Sequence, residues 1–224
     1  MSPRRLLIYG AGHLGRQLHH HVVAHGGGDV ELLGFVDDTQ PAGVPVCGGL
    51  VTLGDWASAA ASPQHGPRTA ELLFAIGYTS MTRRRAALER VLSAGYRLFT
   101  LIHPRAMIEP GARVGDGSVV LAGAVVDQQV TTGRACFVDI GVRLTAGTQV
   151  GHNNYFSSGT STGSRVHIGD DNFFGMDCTV TTEVTMGSRL FVNAKTLVPR
   201  DVGDDVKIVE LHKSRELPMP PTNH

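Results

Sequence analysis

The sequence is short of cysteine, short of aromatic rings, without an excess of either charge sign and without a long apolar run. Each shortage removes a class of protein. The three cysteines, Cys47, Cys136 and Cys178, are odd in number and show no metal-ligand spacing, which argues against the disulfide framework of a secreted domain. They read as small apolar residues of the interior. Aromatic residues make up 6% of the chain while glycine occurs 28 times in 224 residues, a balance that suits a coiled parallel sheet with tight corners better than a helical bundle. Lys plus Arg equals Asp plus Glu at 20 each, so no basic field draws in nucleic acid or an anionic membrane. Small molecules and other subunits are the expected partners. The opening apolar stretch, Leu6 to Tyr9, is too short for a signal peptide or a membrane span, and a cytoplasmic protein is expected.

What is present divides the chain in two. Residues 4 to 9 form an apolar run ending at Gly10-Ala11-Gly12-His13-Leu14-Gly15, after which Arg16 to His25 has helical composition. Strand, glycine turn and helix follow one another. A second strand from Glu31 to Val36 runs into Asp37-Asp38, a little over twenty residues beyond the turn, the spacing of a dinucleotide-type half domain. A third strand, Leu72 to Ile76, is closed by Gly77. An amphipathic helix from Ser80 to Ala94 then carries Arg83, Arg84, Arg85 and Arg90, expected towards solvent. A further strand near Arg97 to Leu101 leads to His103-Pro104.

From Ile108 a period of six takes over. Ile108, Val114, Val120, Val126, Thr132, Val138, Leu144, Val150, Phe156, Thr162, Ile168, Phe174, Val180, Met186, Val192 and Val198 are apolar except for the two threonines. Glycine follows this position at 115, 133, 151, 163, 169, 175 and 187, which suggests corners between short flat strands. Neither a helix nor a meander has a period of six. A fixed hexapeptide repeat is the signature of a parallel β-helix, and at three hexapeptides per triangular coil about five coils are expected. The fold class is thus an α/β N-terminal Rossmann-like domain (1–103) followed by a left-handed parallel β-helix (104–202), with a C-terminal tail (203–224) as cap. The N-terminal domain is expected to cover the other end of the prism.

Taken in order, Ile8-Tyr9-Gly10-Ala11-Gly12, Gly34-Phe35-Val36-Asp37-Asp38, Phe74-Ala75-Ile76-Gly77, Leu101-Ile102-His103-Pro104 and the repeats resemble the NeuD and PglD family of bacterial sugar acyltransferases over about 200 residues. The resemblance implies a homotrimer that moves an acyl group from acetyl-CoA, or another acyl-CoA, to an amine or hydroxyl of a nucleotide-linked amino sugar. It places Gly10, Gly12, His13, Asp37, Asp38, Gly77 and Tyr78 at the sugar nucleotide. Backbone amides at a helix N-terminus do attract phosphate. It places Tyr155, Gly175, Asn193 and Lys195 at the acyl-CoA.

The family's histidine base and the acid after it fall on Ala146 and Gly147, neither of which accepts a proton. Tyr155 stands where a second family histidine contacts the donor, and the usual closing Gly-x-Pro-Ala-Lys is replaced by Ile208-Val209-Glu210-Leu211-His212-Lys213. His152, one hexapeptide after Ala146, is the candidate replacement base, with Tyr155 beside it. His167 reads as a surface residue. His19, His20, His21 and His25 share one helix, but three are consecutive and point in different directions, so no metal site is expected. The alternative reading is a non-catalytic trimeric partner that binds ligand or assembles another enzyme.

Overall fold

The computed structural model of the protein describes residues 3–25 and 29–209. The front of the chain places β1 (Arg4–Tyr9), α1 (His13–His25), β2 (Val30–Val36), a short ribbon β3 (Pro45–Cys47) and β4 (Leu50–Val51), α2 (Trp56–Ala61), β5 (Glu71–Phe74) and α3 (Met81–Ser93). Three of these strands form a parallel sheet in the order β2-β1-β5, so both neighbours of the central strand are reached by crossovers. Leu6, Leu7 and Ile8 are fully buried because a central parallel strand has apolar neighbours on both faces. Ser80 caps α3, its hydroxyl accepting from the Arg83 amide at 3.2 Å.

From Leu101–Ile102 to Lys207–Ile208 the described chain is a run of two-residue strands separated by turns. They wind into a left-handed parallel solenoid of about six coils, one more than the repeat count suggested. Leu101–Ile102 already pairs with Val119–Val120, and Lys207–Ile208 still pairs with Phe191–Val192, so the prism extends beyond both expected boundaries. The faces carry sheets of seven, six and four strands. Rungs meet the residue 18 positions on, as in Phe137↔Tyr155 and Tyr155↔Phe173, except in the last coil, where Phe191 meets Lys207 at 16. Of the expected C-terminal tail, residues 210–224 lie outside the described residues.

The sixfold apolar positions fill the prism. Val120, Val138, Phe156, Phe174 and Val192 are all buried, with the Phe156 and Phe174 rings stacked at 4.8 Å. Burying each such side chain contributes about 1.5–3 kcal/mol. A second inward position lies two residues earlier and is occupied by Ala124, Val130, Cys136, Val142, Val166 and Cys178 among others. Cys136 and Cys178 are therefore core residues, and burial pushes the Cys136 thiol up to about 11.

The corner glycines have a different cause from the expected one. Gly115, Gly133, Gly151, Gly169 and Gly187 form a single column, and none is in a left-handed conformation. A Cβ on Gly151 would sit 2.7 Å from the Gly169 carbonyl oxygen of the next coil, and one on Gly169 would sit 2.7 Å from that of Gly187. Close approach of stacked backbones, not φ, demands glycine here. The left-handed residue comes three positions after each inward side chain and includes Gln129, Asn153, Arg165, Asp171 and Lys195.

The N-terminal domain does not sit over an end of the prism. It lies along the seven-stranded flank, where Val119, Phe137, Tyr155 and Phe173 point outward and share a core with Ile8, Leu18 and Leu73. Arg84 overturns the expectation of a solvated arginine face. It is 2% exposed and spans the joint, donating to the carbonyls of Ile76 and, at 2.8 Å, of Ala135. Its guanidinium lies 4.8 Å over the Phe74 ring, and burial without a bound carboxylate lowers it to about 10.

Candidate active site

The carboxyl ends of three parallel strands bring most of the expected sugar-nucleotide residues to one edge. Tyr9 pairs with Val36 and with Phe74, so Gly10, Asp37 and Ala75 leave the sheet side by side. This is the edge at which open α/β sheets take ligands. Gly10, at φ +114, has no room for a side chain, since a Cβ would lie 2.6 Å from the Ala75 oxygen. Gly15 is excluded from having one by the Gly10 oxygen at 1.8 Å. Gly12 and Gly77 differ. Neither has positive φ and neither has any atom within 4 Å of a Cβ, so the chain's own packing does not require glycine at them.

The two acids are already engaged. Asp37 ties the glycine turn down, one oxygen accepting from the Ala11 amide at 2.8 Å and the other from the Thr39 amide at 2.9 Å. Asp38 accepts from the Tyr9 hydroxyl at 2.8 Å, from Arg90 at 2.7 Å and from the Trp56 amide at 3.0 Å. Burial alone would raise Asp38, but these bonds outweigh it and hold the carboxyl below its ordinary value. The same environment pushes the Tyr9 phenol far up, chiefly through burial. Tyr9, Asp37, Asp38, Ile76, Arg83 and Arg90 line a cleft of about 390 Å³ at this edge. His13 opens α1 and is exposed beside it.

Beyond Gly77 the Tyr78 ring closes an aromatic ladder on the prism flank. It stacks on Phe173 at 4.6 Å and tilts against Tyr155 at 4.9 Å, while Tyr155 stacks on Phe137 at 4.5 Å. A second cavity of about 390 Å³, lined by Tyr78, Thr82, Arg85, Phe173, Arg189 and Phe191, opens beside this ring. Tyr155 is 6% exposed and its phenol is raised far above the ordinary value by burial. Its ring is packed between Phe137 and Tyr78.

His152 occupies a repeating corner position. Its Nδ1 accepts from the Arg134 amide at 2.9 Å, and its own amide donates to Asp170 at 2.6 Å. Asp170 and Ser188 continue the pattern, the Asp170 amide donating to the Ser188 hydroxyl and the Ser188 amide to Asp204, both at 2.9 Å. A backbone N–H only donates, so the neutral His152 ring keeps its proton on Nε2 and has no free lone pair. It stands in the ladder where other coils use aspartate or serine.

Ala146 and Gly147 form a corner on a different edge. The Ala146 amide donates to Asp127 at 3.1 Å, and Gly147 takes φ +74. Gly175 and Asn193 are brought together, a Cβ on Gly175 falling 2.8 Å from the Asn193 carbonyl carbon, with exposed Lys195 in the following turn. These residues are gathered apart from the glycine-turn edge. Arg84 is the site-supporting residue that the sequence reading missed. Its only signal was a position on the apolar side of α3, beside the buried Ala87, Leu88 and Val91.

No protein-family model and no curated protein sequence matches the chain. Solved structures do. The acetyltransferase domain of PglB from Neisseria gonorrhoeae FA1090 is 25% identical with a TM-score of 0.78, covering 91% of this chain and 95% of that one. A histidine-to-alanine variant of GDP-perosamine N-acetyltransferase from Caulobacter crescentus, in complex with CoA and GDP-perosamine, is 25% identical with a TM-score of 0.77, covering 90% and 91%. WeeI from Acinetobacter baumannii AYE shares the fold, with a TM-score of 0.80 at 16% identity over 92% and 97%.

Proposed function

We propose that this chain is an acyl-CoA-dependent acyltransferase acting on the amine of a nucleotide-linked sugar. The N-terminal domain, in this reading, is a Rossmann-like holder of the sugar nucleotide and the prism carries the donor. The observation that carries it is the pair of open glycines, Gly12 and Gly77, at the carboxyl edge of the sheet. A glycine that the chain does not need leaves room for something that the chain must approach closely. Amides at the start of α1 and the guanidinium of Arg83 complement a diphosphate there. Full-length likeness to enzymes holding CoA and GDP-perosamine supports the same assignment.

The chemistry needs little from the protein beyond placement. A free amine adds to the thioester carbonyl, the C–S bond breaks, coenzyme A leaves as thiolate, and the amine's surplus proton passes to the thiolate or to water. With Ala146 in the family's base position and the His152 lone pair given to Arg134, the acceptor must arrive deprotonated, and positioning supplies the rate. The working unit is a homotrimer. Ile140 and Met176, 49% and 58% exposed, lie on one prism edge with Ala122, Ser158 and Ala194 and give that edge a mostly apolar strip suited to a second copy.

The test combines acetyl-CoA with a panel of nucleotide-linked amino sugars and follows release of coenzyme A. Expected are turnover with at least one sugar, a pH profile set by the acceptor amine, and a loss of sugar affinity of ten-fold or more in Gly12→Val at unchanged melting temperature. Absence of both turnover and any sugar-induced thermal shift refutes the reading.

A further inference from the structure

Away from this edge, three imidazoles meet where α1 rests against the first coil of the prism. His21 and His25 lie one helical turn apart on α1, and His103 comes from the turn after Leu101–Ile102. The ring centres of His25 and His103 are 4.3 Å apart, those of His21 and His103 5.4 Å, and those of His21 and His25 6.2 Å. One ring nitrogen from each residue lies within 4.8 Å of those of the other two. The helix alone looked unable to bind an ion. The third ligand type comes from a residue 78 positions after His25, which spacing along α1 could not reveal.

We infer that His21, His25 and His103 form a binding site for one divalent transition-metal ion of the zinc class, with water in the fourth position. Imidazole nitrogen selects zinc, nickel or copper over magnesium and calcium. Three protein ligands with an open place is a common zinc arrangement, and metal–nitrogen distances of about 2.0–2.1 Å require the rings to turn towards one another. One further observation favours an ion. The Nδ1 of His21 is buried without a hydrogen-bond partner, a costly state that ligation relieves.

The other titratable groups facing the cluster are His20, Arg105 and Asp139. His103 accepts from the Arg105 amide at its Nδ1, 3.0 Å away, so without metal its proton sits on Nε2. Ion binding through either nitrogen therefore breaks this bond, leaving the Arg105 amide to water and exchanging one hydrogen bond for a metal–nitrogen bond. His25 is exposed and gives the ion its way in. Because α1 belongs to one domain and His103 to the prism, a bound ion fastens the two together.

The experiment titrates the tag-free chain with Zn²⁺ against a chromophoric chelator, and with Co²⁺ for its visible absorption. One equivalent per chain, a rise in melting temperature with Zn²⁺ but not Mg²⁺, and a tetrahedral Co²⁺ spectrum are expected. His25→Ala, at an exposed position that leaves the fold intact, should weaken binding by at least the roughly 10–100-fold that loss of an outer-shell partner costs. His103→Gln should do the same, and His167→Ala, exposed on the prism, should change nothing. No binding by the unaltered chain, or affinity unchanged in either His25→Ala or His103→Gln, overturns the proposal.

Discussion

Replacing Arg84 by methionine removes a buried cation whose two hydrogen-bond acceptors belong to different domains. The Ile76 carbonyl precedes Gly77 and Tyr78, and the Ala135 carbonyl lies at a corner of the prism. Two opposing effects set the magnitude. Leaving both carbonyls without a donor costs about 1–3 kcal/mol each. Against this, holding the charge in the joint lowers Arg84 from 12.5 to about 10, equivalent to about 3 kcal/mol that the methionine no longer spends. The difference runs from a gain of about 1 kcal/mol to a loss of about 3, so Arg84→Met should fold and melt within a few degrees of the parent. The larger effect falls on the Tyr78 loop, which loses one of its ties to the prism and keeps its ring contacts with Phe173 and Tyr155. Steady-state kinetics should show KM for the nucleotide sugar raised about ten-fold with kcat and KM for acyl-CoA little altered. Arg84→Lys, which reaches only one carbonyl, should fall between. An unchanged sugar KM, or a variant that fails to fold, would refute the view of Arg84 as the residue that positions this loop.

Four further outcomes are expected. In the unfolded chain histidine titrates near 6.5, and burial first, then mutual repulsion, holds His21 and His103 lower in the fold. The unfolded state then binds more protons, so this stability is complete above pH 6.5 and is lost as pH falls through the folded values; metal-free melting temperatures between pH 7.5 and 5 should show the fall, and His103→Gln should flatten it. Gly151→Ala should cost about 1–3 kcal/mol by urea unfolding, because its Cβ meets Asp170 at 2.2 Å and the next coil's backbone. Ala146→His should raise kcat below the acceptor's pKa if a base is what this corner lacks, and a rate unaffected at every pH would count against the alignment. Met176→Asp, measured by light scattering, should dissociate the trimer, and an intact assembly would move the interface elsewhere.

The prism was readable because its constraint is local and repeated. One inward side chain every six residues shows itself without any knowledge of what it touches. The second inward position, occupied by Cys136, Val142 and Val166, was less visible because Ser118, Thr148 and Asn154 occupy it too, bonding to the carbonyls of the next coil instead of packing. The glycine-turn edge was likewise legible, since strand, turn and helix are neighbours in sequence. Arg84 and His103 were not, because their partners lie 51 residues away at Ala135 and 78 away at His25. For the same reason His152 looked free in the sequence and is not. Its ring partner, the Arg134 amide, sits 18 residues earlier and one coil over.

The flank contact sets a rule for how this molecule can change length. Val119, Phe137, Tyr155 and Phe173 meet the front domain once per turn of the winding, like teeth on a rack. Removing or adding 18 residues slides the rack by one tooth and presents an equivalent surface, whereas six or twelve rotate a different side of the triangle beneath Tyr78. Natural or engineered relatives that keep the front domain docked should therefore differ in the solenoid by whole turns below Phe173, and shorter insertions should appear only as excursions at its corners.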